Sequence, residues 1–323
     1  MNVTRWVVAG FTWALCSTAW SEEVRTAEVD PGYRLFQGDR PILQYNTTPT
    51  AEAAEHEAYY RRSGYIHPLF SPSGRIVTGD YSPDHKHQHG LFFAWTKSQF
   101  RGAPQEFWNE HKRLGKVEYA GGFESAPSDR PPGFTTKHRF ISLTQKTGDR
   151  PTPVLLETWQ VSLPEHSTEA FVIDLTSTQR CGTDDPLTIE KYHYGGMAIR
   201  GNNAWVAEGC VMLTSEGDDR LSGNHTRPRW VVMSGEVDGE TCGVAVLEHP
   251  ENFRAPQWVR LHPKMPYFVF GPMIEEAFTI EPGQDYRSRY RYVTFDGAPN
   301  LDEIETLWQD FARSRHPKSA TEN

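Results

Sequence analysis

The chain has little cysteine: four residues in 323, one of them Cys16 near the start. Beyond it only Cys181, Cys210 and Cys242 remain. At most one intramolecular disulfide can form among these three, so a disulfide framework is excluded, and their spacing is not that of a zinc knuckle. Long apolar runs are also missing after the first 21 residues, and the mean hydropathy is −0.63. A helical membrane span needs about 20 apolar residues, so none is expected in that region. Basic clusters are absent as well. Lysine and arginine number 33 against 42 acidic residues, a net charge of −9. Such a chain is a poor partner for nucleic acid. There is no fixed-period repeat and no linker-like segment that would divide the sequence.

What is present begins with a leader-like segment. Arg5 is the only charge in residues 1–21, Trp6 to Leu15 is largely apolar, and Ala19 and Ser21 form a small-x-small pattern before Glu22. This reads as a signal peptide over residues 1–21, with export to the periplasm or the outside as the expectation. Leu15 before Cys16 argues against lipidation. Residues 22–311 read as one β-sandwich domain and residues 312–323 as a frayed tail.

Composition favours strands. Aromatics make up 12%, Gly and Pro are frequent at 26 and 23, and helical periodicity is scarce. Two short strands are expected within Val24 to Gln44 around Gly38-Asp39, and others at Tyr65 to Phe70, Arg75 to Thr78 and Leu91 to Trp95. A meander follows in Lys116 to Tyr119, Thr135 to Thr144, Val154 to Leu163 and Phe171 to Gln179. Ile280-Glu281-Pro282-Gly283 reads as a turn into a final hairpin strand with Tyr286, Ser288, Tyr290 and Tyr292 alternating. Leu301, Ile304, Leu307, Trp308 and Phe311 recur at helical spacing and predict one helix over Leu301 to Phe311. The expected fold is therefore mainly β, a large antiparallel sandwich with a short C-terminal helix.

Three polar constellations stand out. The first is His67 to Trp108, which with His111 holds five of the 13 histidines. His85, His87 and His89 alternate with Lys86 and Gln88. On an extended segment they would share one face. Same-face neighbours lie roughly 6.5–7 Å apart, too far for three to reach one metal easily, whereas two with a ligand from elsewhere fit better. The plainer reading is a set of solvated or hydrogen-bonded histidines at a strand start. His67, His85, His87 and His89 are the candidate ligands of a divalent metal. Phe107 and Trp108 read either as core plugs or as a ring platform for a sugar, the platform being favoured by His111 and the charged neighbours. The second constellation, Glu190 to Arg200, places Glu190, Tyr192 and Tyr194 on one strand face and His193 on the other. The third, Leu247 to Phe270, offers Asn252, Arg254, Gln257, Arg260, Trp258 and His262 in a proline-stiffened rim.

These motifs (HPLFSPSG, DHKHQHGLFFAW, YHYGGMAIR, LEHPENFR, PQWVRLHP and PYFVF) resemble a secreted bacterial family often labelled methane oxygenase PmoA-like, a domain of unknown function. The resemblance runs from about Tyr33 to Asp296. One departure is Gln88, where the family pattern tends to carry histidine. A membrane monooxygenase subunit would need several apolar spans, so the label is a poor guide to activity. The family implies a large β sandwich. HGL…W and the late I-E-P-G…Y-x-Y pattern are also similar to galactose-mutarotase-type supersandwiches. That likeness implies acid–base chemistry on sugars by a His/Glu pair. On this expectation His89, His193 and Glu190 are the catalytic candidates. Trp108, Arg200, Asn252, Arg254, Trp258 and His262 hold a small-molecule or glycan ligand. The rival expectations are a histidine-ligated metal oxygenase or hydrolase, and a non-catalytic glycan-binding protein. Histidine nitrogens converging on one point would favour the metal, and histidines spread along a groove would favour sugar hydroxyls.

Overall fold

The computed structural model describes residues 23–164 and 169–314. The expected signal peptide lies outside them, as do residues 315–323 of the expected tail.

Alternating apolar positions build two large antiparallel sheets. The first has eight strands, ordered Val24–Val29, Gly32–Gln37, Arg40–Asn46, Tyr65–Leu69, Leu91–Ala94, Gly196–Arg200, Tyr267–Phe270 and Val259–Leu261. The second is built on the meander Gly133–Thr147, Arg150–Ser162 and Ala170–Cys181. Tyr286–Asp296 pairs with Ala170–Cys181 on one side and with Glu240–Glu248 on the other. The inner faces share one core, in which Leu43, Phe92, Trp95, Trp159 and Tyr290 are buried. Trp95 is part of that core, donating to Gln179 Oε1 at 2.7 Å. A small four-stranded sheet adds Ser98–Phe100, Ala103–Gln105, Leu187–Ile189 and Phe278–Ile280.

The mainly β expectation holds, with corrections in detail. Val24 to Asn46 forms three strands, because Pro31 makes a second turn. Arg75 to Thr78 makes only isolated bridges, Phe70 to Ile76 and Thr78 to Gly201. Phe278–Ile280 is no hairpin partner of Tyr286–Asp296, since it pairs with Leu187–Ile189. The helix runs Leu301–Arg313, capped at its start by the Asn300 side chain accepting from Glu303 N–H. Its Ile304, Leu307 and Phe311 pack on Val172, Val232 and Val293, on the outer face of the second sheet. The expected tail starts too early at 312, because Arg289 holds Ser314 through both the hydroxyl (2.7 Å) and the carbonyl (3.0 Å).

Candidate functional site

The segment before Leu91 is not the strand that alternation predicts. His85 N–H donates to Ser82 O at 2.9 Å and Gln88 N–H to His85 O at 3.1 Å, two successive turns. Pro83 has no N–H for a ladder, and Tyr81 and Gly90 both sit at positive φ, 43° and 46°. Gly90 is required here, since a Cβ would lie 2.2 Å from Ile66 O. The turns send the three histidines in different directions. His85 and His87 line a pocket of about 350 Å³, whereas His89 turns into the core.

Four adjacent strands of the first sheet frame this pocket. The turn before Leu91 brings His85, His87 and Gln88. Val259–Leu261 and the residue after it bring Arg260 and His262, and Tyr267 begins the neighbouring strand. The loop with the 3-10 turn Glu110–Lys112 adds Trp108, Asn109 and His111. His193 and Tyr194, just before Gly196, complete the lining. Tyr194 is fixed by ring contact with Trp108 at 5.3 Å and by Asn109 Nδ2 donating to its hydroxyl at 3.1 Å.

Four imidazoles form a curved row. Ring centroids step from His262 to His85 (6.1 Å), on to His87 (5.3 Å) and on to His111 (5.7 Å). Among the described residues, no three His, Cys, Asp or Glu side chains are grouped so as to hold a metal ion. The imidazoles are thus strung along the pocket rather than gathered at one point.

Burial keeps most of these rings neutral. It pushes His87 down to about 3, with His85, His89 and His111 adding to the effect. It pushes His262 down to about 4, helped by Arg260 and His85. His85 and His193 are lowered first by burial too. For His262 the tautomer follows from its neighbours. Its Nδ1 accepts from the backbone N–H of Lys264 (3.2 Å) and Met265 (3.0 Å), so in the neutral ring the proton sits on Nε2. Tyr267 Oη is buried at the pocket without a hydrogen-bond partner among the described residues, and His85 Nδ1 has only the Asp84 carboxylate, at 3.6 Å.

Behind the pocket lies a charged buttress. His89 Nδ1 is 2.7 Å from Asp80 Oδ1 and its Nε2 is 3.4 Å from Glu110 Oε2. Tyr65 Oη donates to Asp80 at 2.7 Å, and Arg62 approaches Glu110 at 3.9 Å. Burial alone would lower the His89 pKa, but Glu110 and Asp80 outweigh it and raise it to about 9. The charged ring ties the 85–90 turn to the 109–112 loop, the two segments that carry His87 and His111. Under the floor, Arg200 donates to Gln88 Oε1 at 3.0 Å and reaches Asp84 at 3.4 Å.

Of the residues singled out from the sequence, His85, His87, Trp108, His193 and His262 meet at this pocket. The others lie elsewhere. His67 is bonded through Nδ1 to Thr78 Oγ1 at 2.9 Å, and both His89 nitrogens face carboxylates. Glu190 accepts from Gln99 at 2.8 Å and is absent from the lining, so the expected His193–Glu190 pair is not formed there. The strand expected around them is irregular until Gly196. Arg200 sits beneath the pocket. Asn252 is locked to the Arg289 backbone (2.9 and 2.8 Å), and Arg254 donates to the carbonyls of Pro272 (2.9 Å) and Ala277 (3.2 Å). Trp258 stacks with Arg227 at 5.9 Å. The third constellation therefore splits: its later part reaches the pocket and its earlier part is scaffolding. Sequence reasoning left Asn109, His111 and Tyr267 outside the site, and named Tyr194 and Arg260 within the second and third constellations without giving either a ligand-binding role. The histidine density up to His111 was the one available signal.

A smaller cavity of about 100 Å³ lies apart, lined by Arg229, Glu248, Pro250, Ala255, Pro256 and Trp308.

No helix among the described residues is long and apolar enough to cross a membrane. The model of a family described as "Family of unknown function (DUF6807)" matches residues 33–309. Its description carries neither the methane-oxygenase label nor the mutarotase likeness drawn from the motifs. A search of curated proteins gives no match. Among solved structures, the chain is similar to a putative kojibiose phosphorylase from human microbiome, at 10% identity and TM-score 0.33, over 85% of this chain and 29% of that one. It is also similar to the heparan sulfate lyase HepC from Pedobacter heparinus, at 10% identity and TM-score 0.30, over 86% and 36%. The chain thus spans about a third of the length of either structure.

Proposed function

The chain belongs to this family of unknown function, and from the chemistry of its pocket we propose that it is an exported carbohydrate-active enzyme. The observation that carries this reading is the set of polar groups left open at the pocket. Tyr267 Oη is buried there with no hydrogen-bond partner among the described residues, His85 Nδ1 has only the Asp84 carboxylate at 3.6 Å, and Nε2 of His262 carries a proton with no acceptor among the described residues. Buried polar groups left unpaired cost about 1–3 kcal/mol each, and a ligand rich in hydroxyls repays that cost. A saccharide offers both donors and acceptors to neutral imidazole and phenol, whereas Phe107 and Trp108, at 0% and 1% exposure, belong to the core and do not form the expected ring platform. Neutral imidazole is also the form that accepts a proton, so we assign the general-base role to His193, while His87, at about 3, is too weak a base for that and would bind substrate. Export rests on the leader-like residues 1–21.

Incubating the full chain with a panel of oligosaccharides tests the proposal, with products read by chromatography and binding by calorimetry. Turnover of one member, lost in His87→Ala and His193→Ala variants that still fold, supports it. Binding that persists without turnover across the panel would favour a glycan-binding protein instead. No binding at all would overturn the reading.

A further inference from the structure

The pocket is one-sided in charge. None of its lining side chains is Asp or Glu, while Arg260 is a full cation. Arg260 lies in Val259–Leu261, where its backbone pairs with Val269. Its guanidinium makes no hydrogen bond or ion pair with any described residue, and it is half-buried. Burial first, and then the Arg260 charge, lowers the pKa of His193, of His225 and of His262, which places that charge toward the imidazoles.

The carboxylates next to the lining residues have partners other than Arg260, although Asp84 also faces His85 Nδ1 at 3.6 Å. Asp84 lies against Arg200 at 3.4 Å, Glu106 pairs with Lys112 at 2.8 Å, and Glu110 faces His89 at 3.4 Å. Arg200 itself is spoken for by Asp84 and Gln88. One free guanidinium therefore faces a cavity with no counter-charge in its wall, on a chain whose net charge is −9. Arginine presents parallel N–H groups that match a planar or tetrahedral oxyanion.

We propose that the pocket takes an acidic carbohydrate, with the carboxylate of a uronate or a sulfate ester seated on Arg260 and the sugar hydroxyls on the imidazoles and Tyr267. This deepens the carbohydrate reading and rests on it.

Calorimetry on the full chain tests it with matched probes. These are trigalacturonate and its methyl ester, unsulfated and sulfated chondroitin oligosaccharides, the neutral xylotriose and maltotriose, and sodium sulfate as an anion without a sugar. The expected result is at least about tenfold tighter binding of one acidic oligosaccharide than of its neutral counterpart. That preference should vanish in Arg260→Gln and survive in part in Arg260→Lys, with unchanged melting temperature, because the Arg260 guanidinium bonds to none of the described residues. The chondroitin pair tells carboxylate from sulfate. Neutral oligosaccharides bound as tightly as acidic ones, with Arg260→Gln without effect, would overturn the inference and leave the carbohydrate reading standing. Sulfate bound through Arg260 with no saccharide bound would overturn both.

Discussion

Glu248 should make the protein lose stability as pH rises. Its carboxyl is buried at the small cavity, accepts Gln257 N–H at 2.7 Å and has no cation within ion-pair distance among the described residues. Burial, only partly opposed by the Gln257 bond, raises its pKa from 4.5 to about 8. The sign follows directly. Between those values the folded chain keeps a proton that the unfolded chain releases. Stability from this group is complete below pH 4.5, falls through the window and is gone above about 8. At about 1.4 kcal/mol per pH unit, the full fall is about 5 kcal/mol, and water entering the cavity brings it to about 2–5 kcal/mol. Glu248→Gln keeps an acceptor for Gln257 and cannot ionise. Urea unfolding followed by tryptophan fluorescence at pH 5, 7 and 9 should find variant and wild type alike at pH 5. The variant should be more stable by about 2–5 kcal/mol at pH 9, with an unchanged m value. His89 adds a second fall in the same direction, from 6.5 to about 9, in both proteins. An equal pH slope in the two proteins, or a less stable variant at pH 9, would refute the reasoning.

Other substitutions probe the site's support. His89→Leu leaves Asp80 and Glu110 buried without their shared cation, and should cost about 3–5 kcal/mol; a loss under about 1 kcal/mol on denaturant unfolding would argue that the ring is neutral. Gly90→Ala puts a Cβ 2.2 Å from Ile66 O at a φ of 46° and should cost at least about 2 kcal/mol. Gly74→Ala, with φ 86° and nothing within 4 Å, is the control and should lose about half as much or less. Tyr267→Phe removes a buried hydroxyl that has no protein partner, so stability should hold or rise by up to about 1 kcal/mol while oligosaccharide affinity drops. A destabilised Phe variant would show that the hydroxyl is satisfied from within.

Strands and the C-terminal helix were legible because their burial repeats with a fixed period. In Arg150–Ser162, Leu155, Glu157 and Trp159 face inward and Leu156 outward, as alternation requires, and Glu157 is tolerated because His138 meets it at 2.9 Å. The histidine segment misled for the same reason. Alternation is informative only in an extended chain, and Pro83 with the positive-φ residues Tyr81 and Gly90 curls this one. Tertiary pairing was also out of reach. Nothing local to Glu190 shows that Gln99 will engage it, and nothing local to Arg254 shows that carbonyls from the 272–277 loop will surround it. Tyr267 reads as an ordinary strand residue, and Arg260 as one rim donor among several, until their strands are seen side by side beside the 85–88 turn.

The position of Tyr286–Asp296 in the second sheet bears on how the chain is made. This late strand lies between Ala170–Cys181 and Glu240–Glu248, joining two parts of the sheet completed much earlier in the sequence. Until residue 296 has left the ribosome, both of those strands keep a bare edge, and such edges template aggregation. The sheet therefore stays incomplete until this strand arrives, and its pairing with Ala170–Cys181 joins residues more than a hundred positions apart, a topology that slows folding. Deletions from the C-terminal side that reach this strand should yield insoluble protein rather than a smaller folded unit.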